Sequence, residues 1–208
     1  MCRVLVLGYS SFGPYTHNPA EEIALGLNGS TIGGCRVTGV SLRVSASEVR
    51  ERVPRLLEEA DPELALGVGL NPAASRPVLE AAAANLMHFE APDVDGFKAS
   101  VEPIDPSGPP VVHARLPLRR IHRECTGHRG LPLRVSVGIG SYLCNTLGYL
   151  VMRWASERGR LGGFLHVPPH STLALRLGLE NSLPINLMVE LVECIIEESL
   201  GGQPSWYA

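Results

Sequence analysis

The chain has 208 residues, 45% hydrophobic and 19% charged, with a formal net charge of −3. Those proportions exclude a disordered chain and suit a single domain over residues 1–208 around one substantial core. The basic residues are scattered rather than striped, so the electrostatic footprint of a nucleic-acid binder is missing.

No run approaches the roughly 20 apolar residues that cross a bilayer, and no membrane partner is expected. The opening MCRVLVLGYSSFG places only four apolar residues between its arginine and the first glycine. That is too few for the apolar region of a signal peptide, and a cytoplasmic location follows as the default. The five cysteines, Cys2, Cys35, Cys125, Cys144 and Cys194, are widely spaced and odd in number. This pattern argues against a disulfide framework and against CxxC zinc ribbons.

In chain order, residues 3–7 form a short apolar run closed by Gly8, which predicts a buried strand. After a turn-rich loop, Asn18 can cap a helix with Pro19 in its first position. Residues 36–44 read as a second strand, and Ser45 with Glu48 makes a capping-box pattern for an amphipathic helix through Ala60. Residues 65–68 and 133–139 are further apolar runs, and a long helical pattern covers 144–158. Residues 164–167 form a last short strand, and 185–200 a strongly periodic helix. The stretch 78–86, VLEAAAANL, has helix-favouring composition but is short and bounded by turn signals, so its local state stays open.

Strands alternating with helices predict a mostly parallel, twisted α/β sheet covered on both faces. Ligands of such sheets bind beyond the carboxyl ends of the strands. That rule nominates the loops 8–14, 69–75, 140–145 and 166–170.

Cys144 follows a strand and a glycine turn and opens a predicted helix, where unpaired N–H groups favour a thiolate. It reads either as a nucleophile or as a small core residue. His166 ends the last strand, at the same edge, and can serve as acid and base to a thiol or simply as a satisfied strand-end histidine. Glu80 lies in an alanine-rich stretch where a buried carboxylate needs a partner; a histidine would satisfy it, and an exposed helical position would also explain it.

Metal sites are poorly supported. His122, Cys125 and His128 recur every three residues without a fourth ligand, and Pro168 with Pro169 breaks the helix that a His166–His170 metal pair would need. The glycines of GVGL and GIGS lack the rest of a dinucleotide fingerprint, and neither a phosphate loop nor a GxSxG elbow occurs.

Several motifs taken together resemble the pyroglutamyl peptidase family, also called pyrrolidone-carboxylate peptidases. They are VLVLGYSSFGPYTHNP, GVGL, Glu80 followed by Asn85, APDVDG, EPI at 102–104, LPLRRI, SYLCN at Cys144 and GFLHVP at His166. The resemblance runs nearly end to end. It implies a three-layer α/β/α sandwich and a cysteine peptidase that removes an N-terminal pyroglutamate from peptides, without cofactor or metal. It further implies Cys144 as nucleophile, His166 as acid/base and Glu80 as orienter of the histidine. Tyr9, Phe12 and Leu70 would contact the substrate, with Tyr9 standing where the family usually has phenylalanine. Family members associate, so a homo-oligomer is expected from the resemblance.

Two departures stand out. The loop after GVGL reads NPAAS, with Ala74 where an arginine is common and Arg76 two residues on, and Glu90 replaces another usual arginine. Exchanging a forked cation for a carboxylate alters substrate orientation or loop anchoring. An amidase of shifted specificity and a catalytically silent binding relative are therefore the competing readings.

Overall fold

The computed structural model describes residues 2–202. Strand β1 (Arg3–Tyr9) leads to helix α1 (Pro19–Leu27), whose first turn is capped by the Asn18 side chain accepting from the Ala20 N–H. A hairpin-like pair, β2 (Thr31–Ile32) and β3 (Cys35–Leu42), precedes α2 (Ala46–Ala60), where the Ser45 hydroxyl accepts from the Glu48 N–H as the capping pattern anticipates. Then follow β4 (Leu64–Leu70), the short strands β5 (Val78–Glu80), β6 (Ala82–Ala84) and β7 (Val111–His113), and α3 (Leu118–Ile121), which runs into a π-helical segment, His122–His128. The remaining elements are β8 (Arg134–Ser136), α4 (Leu143–Arg158), β9 (Leu161–Val167), α5 (Ser171–Leu177) and α6 (Ile185–Leu200).

Seven strands form one mixed sheet in the order β2-β3-β1-β4-β9-β5-β8, and β6 pairs with β7 separately. The β3-β1-β4-β9 centre is parallel throughout, as is β5 with β8, whereas β2 and β5 run antiparallel to their neighbours β3 and β9. All seven residues of β4 are buried, as a strand covered on both faces requires. Helices α2 and α4 pack on one face, and α1 and α6 on the other. The alternation of elements thus yields the expected α/β architecture with helices on both sides.

The stretch 78–86 resolves into two strands rather than a helix. The apolar run 133–139 is strand only over β8, its remainder being the loop that climbs to α4. The cysteine expectation needs correction. Cys2 is bonded to Cys35 and Cys125 to Cys194, with Cα–Cα distances of 4.6 and 6.0 Å, leaving Cys144 free. The odd count reflects two long-range pairs plus one thiol. Partners 33 and 69 residues apart leave no local spacing signal. No helix among the described residues is long and apolar enough to cross a membrane.

Candidate active site

The sheet register brings the three chemical candidates together. On β9, His166 lies beside Gly69 of β4, and Phe164 beside Gly67. Because β5 runs against β9, Glu80 pairs with Phe164, so Glu80 and His166 are diagonal neighbours whose side chains share a face. Helix α4 packs over that face and contributes Cys144 from its second position. A Cβ on Gly69 would lie 2.7 Å from the Cys144 sulfur and 2.8 Å from the Phe164 ring, so the second glycine of GVGL leaves the volume the thiol occupies.

Glu80 and His166 are 2% and 5% exposed. The His166 Nδ1 is 2.9 Å from Glu80 Oε1, and the Gly138 N–H donates to the other carboxylate oxygen at 3.3 Å. This engagement leaves Nε2 for Cys144, which lines the same cleft and interacts electrostatically with the ring. Burial by itself pulls the imidazole down from 6.5. The interaction with Cys144 and the hydrogen-bonded Glu80 carboxylate outweigh that and push His166 up to about 9. Cys144 is half-buried and lies in the first turn of α4, where the Asn145 and Thr146 N–H groups donate to the Tyr142 carbonyl and those of Leu143 and Cys144 have no intrahelical acceptor, so this end of the helix favours an anion.

The thiol and the imidazole open onto a cleft of about 830 Å³. Phe12 and Leu70 line it, together with the segments 88–94 and 138–142. Tyr9 does not line it. Its ring is buried in the core and its hydroxyl donates to the Leu143 carbonyl at 2.6 Å, with burial pushing the phenol well above its ordinary value. The hydroxyl that distinguishes it from phenylalanine thus ties the end of β1 to the start of α4. Of the altered loop positions, Glu90 lines the cleft, whereas Arg76 lines a separate groove with Arg119 and Arg134.

The metal readings are not supported. Cys125 is in a disulfide, His128 binds Glu124 at 2.6 Å, and His170 uses Nδ1 to accept from the Leu173 N–H. No cluster of three metal-type ligands occurs among the described residues.

Three contributors escaped sequence reasoning. Asn145, 1% exposed, accepts from the Ala84 N–H at 3.0 Å and donates to the Ala84 and Leu86 carbonyls at 2.8 and 2.9 Å. It thereby locks the strand ahead of the cleft segment to the helix that carries Cys144. Asp93 accepts from the Asp95 and Phe97 N–H groups and from Ala46 N–H at the start of α2, fixing the APDVDG turn. Tyr142 stacks edge-on against Phe89, with centroids 4.7 Å apart, and donates to the Pro92 carbonyl. The hints were an asparagine directly after the cysteine and an aspartate inside a turn motif, neither of which states its partner.

A parallel-centred α/β sheet bearing a free cysteine, a buried histidine and a buried carboxylate in sequence-distant contact is the constellation of a cysteine hydrolase. The sequence model for the pyroglutamyl peptidase family matches residues 2–200, and the chain belongs to that family of cysteine-type peptidases. It is 37% identical over 168 residues to the pyrrolidone-carboxylate peptidase of Pyrococcus furiosus, covering 80% of each chain. It is 33% identical over 197 residues to pyrrolidone-carboxylate peptidase 1 of Saccharolobus solfataricus, covering 93% of this chain and 92% of that one. Among solved structures, a mutant pyrrolidone carboxyl peptidase from Pyrococcus furiosus superposes with a TM-score of 0.91 at 33% identity, covering 96% of this chain and 98% of that chain. The Thermococcus litoralis pyrrolidone carboxyl peptidase also gives 0.91, at 30% identity and covering 97% and 94% respectively.

Proposed function

We propose that this chain removes N-terminal pyroglutamate from peptides by nucleophilic catalysis, with Cys144, His166 and Glu80 as the working residues. The observation that carries the reading is the buried Glu80–His166 pair with the one free thiol on the same open cleft as the imidazole.

In this reading the Cys144 thiolate attacks the carbonyl carbon that joins the pyroglutamyl ring to the next residue. Negative charge gathers on the carbonyl oxygen, where first-turn N–H groups of α4 stabilise it, each donor contributing on the order of 3 kcal/mol. The C–N bond then breaks. His166 gives its proton to the departing amine, and a thioester to Cys144 remains. The now neutral His166 takes a proton from water, the resulting hydroxide displaces the thiolate, and free pyroglutamate leaves. Glu80, held by Gly138, keeps the imidazole in one tautomer and favours its charged form. The ring of the substrate carries no charge, and Phe12 and Leu70 supply apolar surface within reach of the thiol.

The test is hydrolysis of a chromogenic pyroglutamyl amide. Cys144→Ser is expected to lower kcat/KM by at least about 10³-fold. Glu80→Gln is expected to lose about 10²-fold or more while remaining folded, because the wrong tautomer and a weakened base impair both proton transfers. A folded wild-type protein without turnover on this substrate refutes the assignment and favours shifted specificity or a binding role.

A further inference from the structure

We propose that Glu90 makes this peptidase prefer substrates whose residues directly after the pyroglutamate are positively charged. The inference rests on the reading of Cys144 and His166 as a pyroglutamyl peptidase site. A pyroglutamyl group is the first residue of its peptide and is uncharged, so it needs no ion partner. Everything after the cleaved bond has to leave the cleft toward solvent, past its exposed lining.

Besides the reacting pair, the lining contains two carboxylates, Glu90 and Asp93, and no lysine or arginine. Asp93 is 7% exposed and its oxygens are consumed by three N–H groups, at 2.9, 2.9 and 2.8 Å. Glu90 is exposed and has neither ion pair nor hydrogen bond among the described residues. Nearby Arg43 is tied to Asp95 at 2.5 Å, and Arg76 faces the other groove. The departing chain therefore passes an exposed carboxylate that no lysine or arginine of the lining offsets, and its charge is negative.

An ion pair formed in the open is weak, so the preference is modest: about two- to fivefold in favour of a cation over a neutral residue, with a comparable penalty for an anion. Salt screens it.

The measurement is kcat/KM at low ionic strength and about pH 8 for pyroglutamyl-arginyl, -glutaminyl and -glutamyl amides, with wild type, Glu90→Gln and Glu90→Arg. The arginyl-to-glutamyl ratio is expected at about three- to tenfold or higher in wild type, near one in Glu90→Gln and below one in Glu90→Arg. In about 0.5 M sodium chloride the wild-type ratio should shrink. Each ratio is internal to one variant, so a general loss of activity does not disturb it. If wild type cleaves the glutaminyl substrate with a ratio near one, or if the ratio does not fall in the variants, the role of Glu90 is overturned and the peptidase reading stands. If none of the three substrates is cleaved, the peptidase reading fails and this inference falls with it.

Discussion

His166 sits between two groups that favour its charged form, and the consequence is readable in pH. Its value is raised from 6.5 to about 9, so the interactions responsible are complete below 6.5 and are lost as pH climbs through about 9. In the proposed mechanism the proton handed to the departing amine disappears over the same interval. A kcat/KM profile is expected to decline above about 9, reporting the Cys144–His166 pair as a unit. In Cys144→Ser the main upward influence is gone, so NMR titration of His166 should find a lower value than in wild type. Gly69 offers a second residue-scale test. Alanine there forces a methyl into the space of the Cys144 sulfur, and we expect about 1–3 kcal/mol of destabilisation in thermal melts. A displaced thiol adds a loss of about 10²-fold in kcat/KM. Cys144 and His166 were legible as candidates because a cysteine after a glycine turn and a histidine ending a strand have local signatures. Glu80 was not, since its partner lies 86 residues away. Tyr9 shows the opposite limit: an aromatic in an opening loop looks available, and only packing reveals that it is a core residue bonded to α4.

At the scale of elements, the reversed strand β5 decides where the carboxylate arrives. Running parallel to β9, a strand of the same sequence would put its last residue at another level of the sheet; running against it, Glu80 falls one diagonal step from His166. Three residues of alanine-rich context carry no direction signal, which is why the segment could not be read locally. The helices were far more legible, since Asn18 and Ser45 cap as their spacing dictates. Helix α4 does two jobs, presenting Cys144 and anchoring the cleft segment through the next residue. Asn145→Ala takes away the side-chain acceptor of the Ala84 N–H, the side-chain donor to the Leu86 carbonyl and one of two donors to the Ala84 carbonyl, and we expect about 1–3 kcal/mol of lost stability. Because the released segment leads directly into residues 88–94 of the cleft, KM for a pyroglutamyl amide should rise more than kcat falls.

At the scale of the whole molecule, the parallel centre, the two covering layers and the edge at which the cleft opens all follow from the alternation of apolar runs and amphipathic helices. The covalent cross-links do not, because a pairing across 69 residues depends on the finished fold. The Cys125–Cys194 bond ties the π-helical segment to α6, on the face opposite α4. Replacing both cysteines by alanine should cost about 2–4 kcal/mol in denaturant unfolding while leaving peptidase activity at low temperature. Exchange chemistry requires an attacking thiolate to reach a sulfur atom. Both sulfur-bearing residues of that bond are 0% exposed, whereas Cys144 faces the cleft. A small-molecule reductant therefore meets Cys144 first, and reverses its oxidation to a mixed disulfide or sulfenic acid under conditions that leave the buried cross-link intact.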